Sequence, residues 1–164
     1  MKTSSIVWRT VGLGAISGLR STSGPALLSR AASRGGISLQ DTPFRFLASS
    51  KLSTLLQLAL LGELIADKIP GVTSRTSQNA LIGRAVSGVF VGAALFASEK
   101  RALPAGALVG AVSAVGAAFA GENLRAAIVE KTGAPDPIVA AAEDAITLTV
   151  GARSLRPSSQ EQDS

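Results

Sequence analysis

Apolar positions in this chain gather into long runs, and almost every run carries one or two charges near its middle. In the sharpest case, residues 55–68 read Leu-Leu-Gln-Leu-Ala-Leu-Leu-Gly-Glu-Leu-Ile-Ala-Asp-Lys. Runs this long and apolar predict membrane spans, and a lipid-facing carboxylate within one would cost roughly 2.5–3.5 kcal/mol on insertion scales. The pattern therefore predicts a small polytopic membrane protein with a polar interior. A water-soluble helical bundle would show polar stripes at helical period, and residues 103–121 show none.

Five spans are expected. The first covers residues 6–28, with Trp8 and Arg9 suited to an interfacial belt. Arg20-Ser21-Thr22-Ser23-Gly24-Pro25 interrupts it, and Pro cannot continue the hydrogen-bond ladder, so a kink or a broken helix is expected there. A connector, 29–51, holds Gly35, Gly36 and Pro43; Phe44, Phe46 and Leu47 beside Arg45 suit a segment lying in the interface. The second span covers 52–69 and is stopped by Pro70-Gly71, and the third covers 80–97. Glu99-Lys100-Arg101 makes a tight charged loop. Pro104 then opens a fourth helix at a position where its missing N–H is harmless. That helix is expected to run past Glu122 and Arg125 to Gly133. Asp136 and Pro137 begin a fifth, running to about residue 155, and the polar tail 156–164 is expected to be disordered. With the N-terminus outside, the Lys and Arg residues lean slightly towards a C-terminus inside.

Composition agrees with lipid as solvent. Of 164 residues, 46% are hydrophobic and 16% charged, with 17 Gly; mean hydropathy is +0.36. Soluble domains carry about 25% charged residues. Cys, His and Tyr are all 0, which removes disulfides, thiol nucleophiles, His bases and most zinc or haem sites. No cofactor and no metal are expected. The net charge of +5 is spread over loops without interleaved aromatics, so nucleic acid is not an expected partner. No cleavable signal precedes the first run, and a bacterial plasma (inner) membrane is the expected location, with multiple passes.

Candidate chemistry lies in the intramembrane charges. Glu63 and Asp67 are four apart and share a helix face, and Lys68 follows at the boundary. Arg20, Arg84, Glu143 and Asp144 complete a nearly balanced set, as mutual pairing requires. Arg20 and Arg84 are expected to meet carboxylates of the second and fifth spans. At the break, the hydroxyls of Ser21, Thr22 and Ser23 and the N–H groups that begin the next helix would favour an anion. A simple Pro kink, with the hydroxyls bonded back to the preceding turn, is the competing reading. Gly14 and Gly18, Gly88 and Gly92, and Gly106 and Gly110 are small residues at spacing four, and suggest close helix crossings. Residues 15–20 (AISGLR) and 118–125 (AFAGENLR) form a faint repeat, each followed by a helix with two carboxylates. The two helices would run in opposite directions, as in an inverted repeat.

Gly18-Leu19-Arg20-Ser21, Glu63-x-x-x-Asp67-Lys68-Ile69-Pro70, Arg84-x-x-x-Gly88 and Pro137 with Glu143-Asp144 together resemble the pattern of domain-of-unknown-function family 4126. The resemblance spans most of residues 10–155, and its most specific piece is the Glu-x-x-x-Asp-Lys-x-Pro element. It implies a small multi-span bacterial membrane fold with no assigned activity.

The expectation is thus one all-α integral membrane domain, residues 1–155, that is not an enzyme. Its leading function is transport or permeation of a small ion or solute, with a small anion or a proton, the bilayer and further copies of the chain as candidate partners. The rival is a structural or assembly protein whose ion pairs only fix helix packing. An intramembrane enzyme ranks third, because paired carboxylates suit aspartyl chemistry but no nucleophile or metal-ligand set accompanies them.

Overall fold

The computed structural model describes residues 3–66 and 78–133, with isolated helical positions at 138, 139, 142, 145 and 149. Its elements are α1 (Thr3–Leu19), α2 (Ser23–Ser33), a 3-10 turn (Arg45–Ala48), α3 (Ser50–Ala66), α4 (Gln78–Ser98) and α5 (Leu103–Thr132). The described residues are all-helical and contain no strand.

Small residues decide how the central helices meet. On α5, Gly106, Gly110, Ala114 and Ala118 recur every fourth position and are all buried. A Cβ added to Gly14 of α1 would stand 2.8 Å from the Gly110 carbonyl oxygen, and one added to Gly18 would overlap the backbone of Ala114. From the other side, Gly88 and Gly92 of α4 press on Gly110 and Gly106 just as closely. All three expected glycine pairs lie at backbone-to-backbone crossings, where a side chain would hold the helices apart.

The register of these contacts gives the directions. Gly88 meets Gly110 and Gly92 meets Gly106, so α4 and α5 are antiparallel. Gly14 meets Gly110 and Gly18 meets Ala114, so α1 and α5 run the same way. This corrects the expectation of an inverted repeat, which required those two helices to oppose each other. Moreover, α5 continues unbroken past Arg125, whereas α1 ends just before Arg20.

Of the kink or break expected between Arg20 and Pro25, the structure shows the break. The first apolar run is two helices, because the chain turns back through residues 20–22. A Cβ on Gly24 would lie 3.2 Å from the Leu13 carbonyl oxygen, whereas eleven residues of straight helix would separate them by about 16 Å. α2 then runs antiparallel to α3, and the connector packs on α4 through Phe44 and Phe46. Their rings lie 5.4 and 6.1 Å from that of Phe90.

Helix ends follow local chemistry. α4 closes in a Schellman arrangement: the Lys100 N–H donates to the Ala97 carbonyl at 3.0 Å and the Arg101 N–H to that of Phe96 at 2.9 Å. Lys100 itself is left-handed, with φ 53°. α2 ends the same way on Gly35, φ 77°, with the Gly36 N–H on the Ala31 carbonyl at 2.9 Å. Pro104 stands in the first turn of α5, and Gly133, φ 64°, ends it.

Of the five expected spans, α4 and α5 are long and apolar enough to cross a membrane, with 21 and 30 residues and mean hydropathy 1.8 each. α3 is described to Ala66 only, and most of the expected fifth span falls outside the described residues. Large apolar side chains line the outside: Leu55, Leu58 and Ile65 on α3, Ile82 and Val86 on α4, Leu108 and Val112 on α5.

Candidate functional site

Breaking a helix frees backbone groups that must find partners, and the break between α1 and α2 shows where each one goes. The Arg20 N–H still donates to the Ile16 carbonyl at 2.9 Å, so α1 is intact up to that point. The N–H groups of Ser21 and Thr22 turn away. Both donate to Glu63 of α3, at 3.1 and 3.0 Å.

The two hydroxyls follow the two amides. Ser21 Oγ donates to Glu63 Oε1 at 3.0 Å, and Thr22 Oγ1 donates to Oε2. Each carboxylate oxygen therefore accepts one N–H and one O–H. Thr22 occupies the N-cap position of α2 but makes no capping bond of its own, because its hydroxyl is committed to Glu63. A side chain some forty residues later thus supplies the negative charge that a helix N-terminus favours.

The carbonyl side is settled by α4. Pro25 has no N–H to give the Ser21 carbonyl four residues before it. Ser87 Oγ donates to that carbonyl instead, at 2.5 Å. Ser23 Oγ stands 2.9 Å from the Ile16 carbonyl and 2.8 Å from that of Arg20, closing the inside of the turn. Gly24 lets α2 seat closely on α1, since a Cβ there would displace Ser17 Oγ and press on the Leu13 carbonyl. Gln57, further back on α3, donates to the Ala26 carbonyl at 2.8 Å and repeats the α3-to-α2 tie.

Two cations accompany the break. Arg20 is 2% exposed and Arg84 7% exposed, and both are held by partners. Arg84 lies one turn before the buried Ser87, so both project from one face of α4. Of the candidate residues, Ser21 and Thr22 bond directly to Glu63, Ser23 closes the inside of the turn beside Arg20, and Arg84 lies on the adjoining face of α4. Asp67, Lys68, Glu143 and Asp144 lie outside the described residues.

Two contributors, Ser87 and Gln57, were not among the expected site residues. Ser87 shares a helix face with Arg84, and Gln57 is the polar interruption in an otherwise apolar stretch, residues 55–61. Either signal marked a polar position with a partner to find. Chemically, the site is an array of donors holding one oxyanion, and those N–H groups would repel a bare cation. No group of three His, Cys, Asp or Glu that could hold a metal occurs among the described residues.

Comparison with known families gives one match: the model of the domain of unknown function DUF4126 aligns with residues 7–155. No curated protein and no solved structure matches the chain.

Proposed function

The chain belongs to that family, and from this premise we propose that it is an integral membrane protein passing a small ion or solute. The path runs by the break between α1 and α2. The observation that carries this reading is the position of the break. Ser87, which touches it, is residue ten of the 21 in α4. If α4 crosses a bilayer, the polar turn, Glu63 and the two buried arginines are near mid-depth. Non-helical backbone is tolerated at that depth only when it is buried in protein or lines a water-filled path, and discontinuous helices of this kind form the sites of many carriers.

The exterior supports lipid as the surrounding solvent. Only 22% of the most apolar window of α5 is buried, where the core helix of a water-soluble protein would be mostly covered. Glu63 is the moving part in this scheme. It holds the turn shut as a carboxylate, and it releases donors to an incoming anion, or accepts a proton, when it swings away.

The test is uptake into proteoliposomes at two pH values, with small anions and monovalent cations offered in turn. Flux that depends on pH in the wild type and loses that dependence in Glu63→Gln is the expected result. Unchanged flux in the variant removes Glu63 from the path.

A second reading, a purely structural lock, is favoured by one observation: each oxygen of Glu63 already accepts two hydrogen bonds. It predicts no flux for any solute, in the wild type as in Glu63→Gln.

A further inference from the structure

We infer that α1 and α2 form a re-entrant hairpin that enters the bilayer and leaves it by the same face, the cytoplasmic one. This rests on the bilayer reading above. It differs from the pattern the first apolar run suggests, in which residues 6–28 cross from one side to the other.

Depth along α4 and α5 provides the ruler. Gly18 lies against Ala114 and Gly14 against Gly110, so each residue of α1 is level with the α5 residue about 96 positions later. Extended back to Thr3, that register reaches the Glu99-Lys100-Arg101 turn, where α4 ends and α5 begins. The N-terminal end of α1 is therefore level with that turn. The other end of α1, Leu19, is by the same register level with Val115, short of the far end of α4, and the turn beyond it touches Ser87 through the Ser21 carbonyl.

From there α2 descends again. Ser29 Oγ donates to the Leu47 carbonyl at 2.7 Å, tying α2 to the 3-10 turn. Phe44 and Phe46 pack on Phe90, which lies on the turn side of Ser87. α3 climbs alongside, with Gln57 at Ala26 and Glu63 at the tip. An up-going helix, a half-buried polar tip and a down-going helix return the chain to its starting face.

Charge supports the same arrangement. Lys100 and Arg101 lie in the turn between α4 and α5, while Arg34 caps α2 and Lys51 opens α3 at the ends away from the Glu63 tip. Short basic segments mark the cytoplasmic face. The tip needs no water, because α3 and α4 satisfy its amides, hydroxyls and the Ser21 carbonyl.

The chain contains no cysteine, so single cysteines report their own exposure without background. Ser4, Ser38, Lys100 and Asn79 are all exposed. Ser4→Cys, Ser38→Cys, Lys100→Cys and Asn79→Cys would be treated with a membrane-impermeant maleimide, in intact cells and after permeabilisation. Asn79→Cys is expected to react in intact cells, and the other three only after permeabilisation. Ser38→Cys reacting together with Asn79→Cys, and apart from Lys100→Cys, overturns the hairpin, because the first run then crosses. The full pattern reversed keeps the hairpin and overturns the cytoplasmic assignment. Release of the protein from membranes by alkaline carbonate overturns the bilayer reading itself, and is scored separately from the labelling.

Discussion

Glu63 and Thr22, 41 residues apart in the chain, are joined twice: one carboxylate oxygen accepts both the Thr22 N–H, at 3.0 Å, and the Thr22 hydroxyl. The other oxygen repeats the arrangement on Ser21. A carboxylate suits four donors better than any neutral side chain, since both oxygens accept and neither carries a proton to misplace.

Removing that acceptor should be costly. Glu63→Ala leaves two half-buried amides without their acceptor and is expected to lose about 2 kcal/mol of stability in detergent denaturation. Glu63→Gln keeps one oxygen but turns an NH2 group towards two donors, and should lose nearly as much. A loss below about 1 kcal/mol for Glu63→Ala would mean that water replaces the carboxylate there.

The Ser87 contact can be isolated by a double substitution. Ser87→Ala is expected to cost about 1 kcal/mol by stripping the Ser21 carbonyl. Pro25→Ala returns an N–H at the position that would serve that carbonyl in a regular helix. The Ser87→Ala penalty should therefore shrink in the Pro25→Ala background, and equal penalties in both would refute the assignment.

Glycines that look alike in sequence should behave differently. Gly18→Val pushes α1 off Ala114 and is expected to cost about 3 kcal/mol or to prevent folding. Gly116, also within α5, has nothing within 4 Å of an added Cβ. Gly116→Ala should instead stabilise the protein by about 0.5–1 kcal/mol through helix propensity. Thermal melts of the two variants side by side decide it.

The paired Schellman ends make a complementary prediction. Lys100 holds a left-handed conformation that glycine adopts freely, so Lys100→Gly should raise stability by about 1 kcal/mol. Gly35→Ala, at the equivalent position after α2, should lower it by a similar amount. Matching signs for both substitutions would count against this account.

Much of this was legible because its causes are local. The ends of α4 and α5 follow from Pro104, Gly133 and the charged turn, and the crossings follow from small residues at spacing four. The break after Arg20 was visible in Gly24 and Pro25. Its angle was not, because the reversal depends on Gly24 seating against Ser17, a contact absent from any linear pattern. The acceptor at the break is hidden for a related reason. The arginines draw the eye to Glu63 as a counter-ion, but the donors it holds at the break are amides and hydroxyls, and every broken helix generates such amides whatever its sequence. Counting free N–H groups first, and seeking their acceptor among the nearby carboxylates, would have found it.

The unequal lengths of α4 and α5 carry a last consequence. Gln78 begins α4 roughly level with Ala120, so the final twelve residues of α5, 121–132, overhang their neighbour as a stalk about 18 Å tall. In a bilayer spanned by α4, a projection of that height clears the headgroup layer, which adds only about 5–7 Å on each side. Glu130 and Lys131 would then ride above the lipid, as a charged outpost in bulk water, at the end opposite the Lys100 turn.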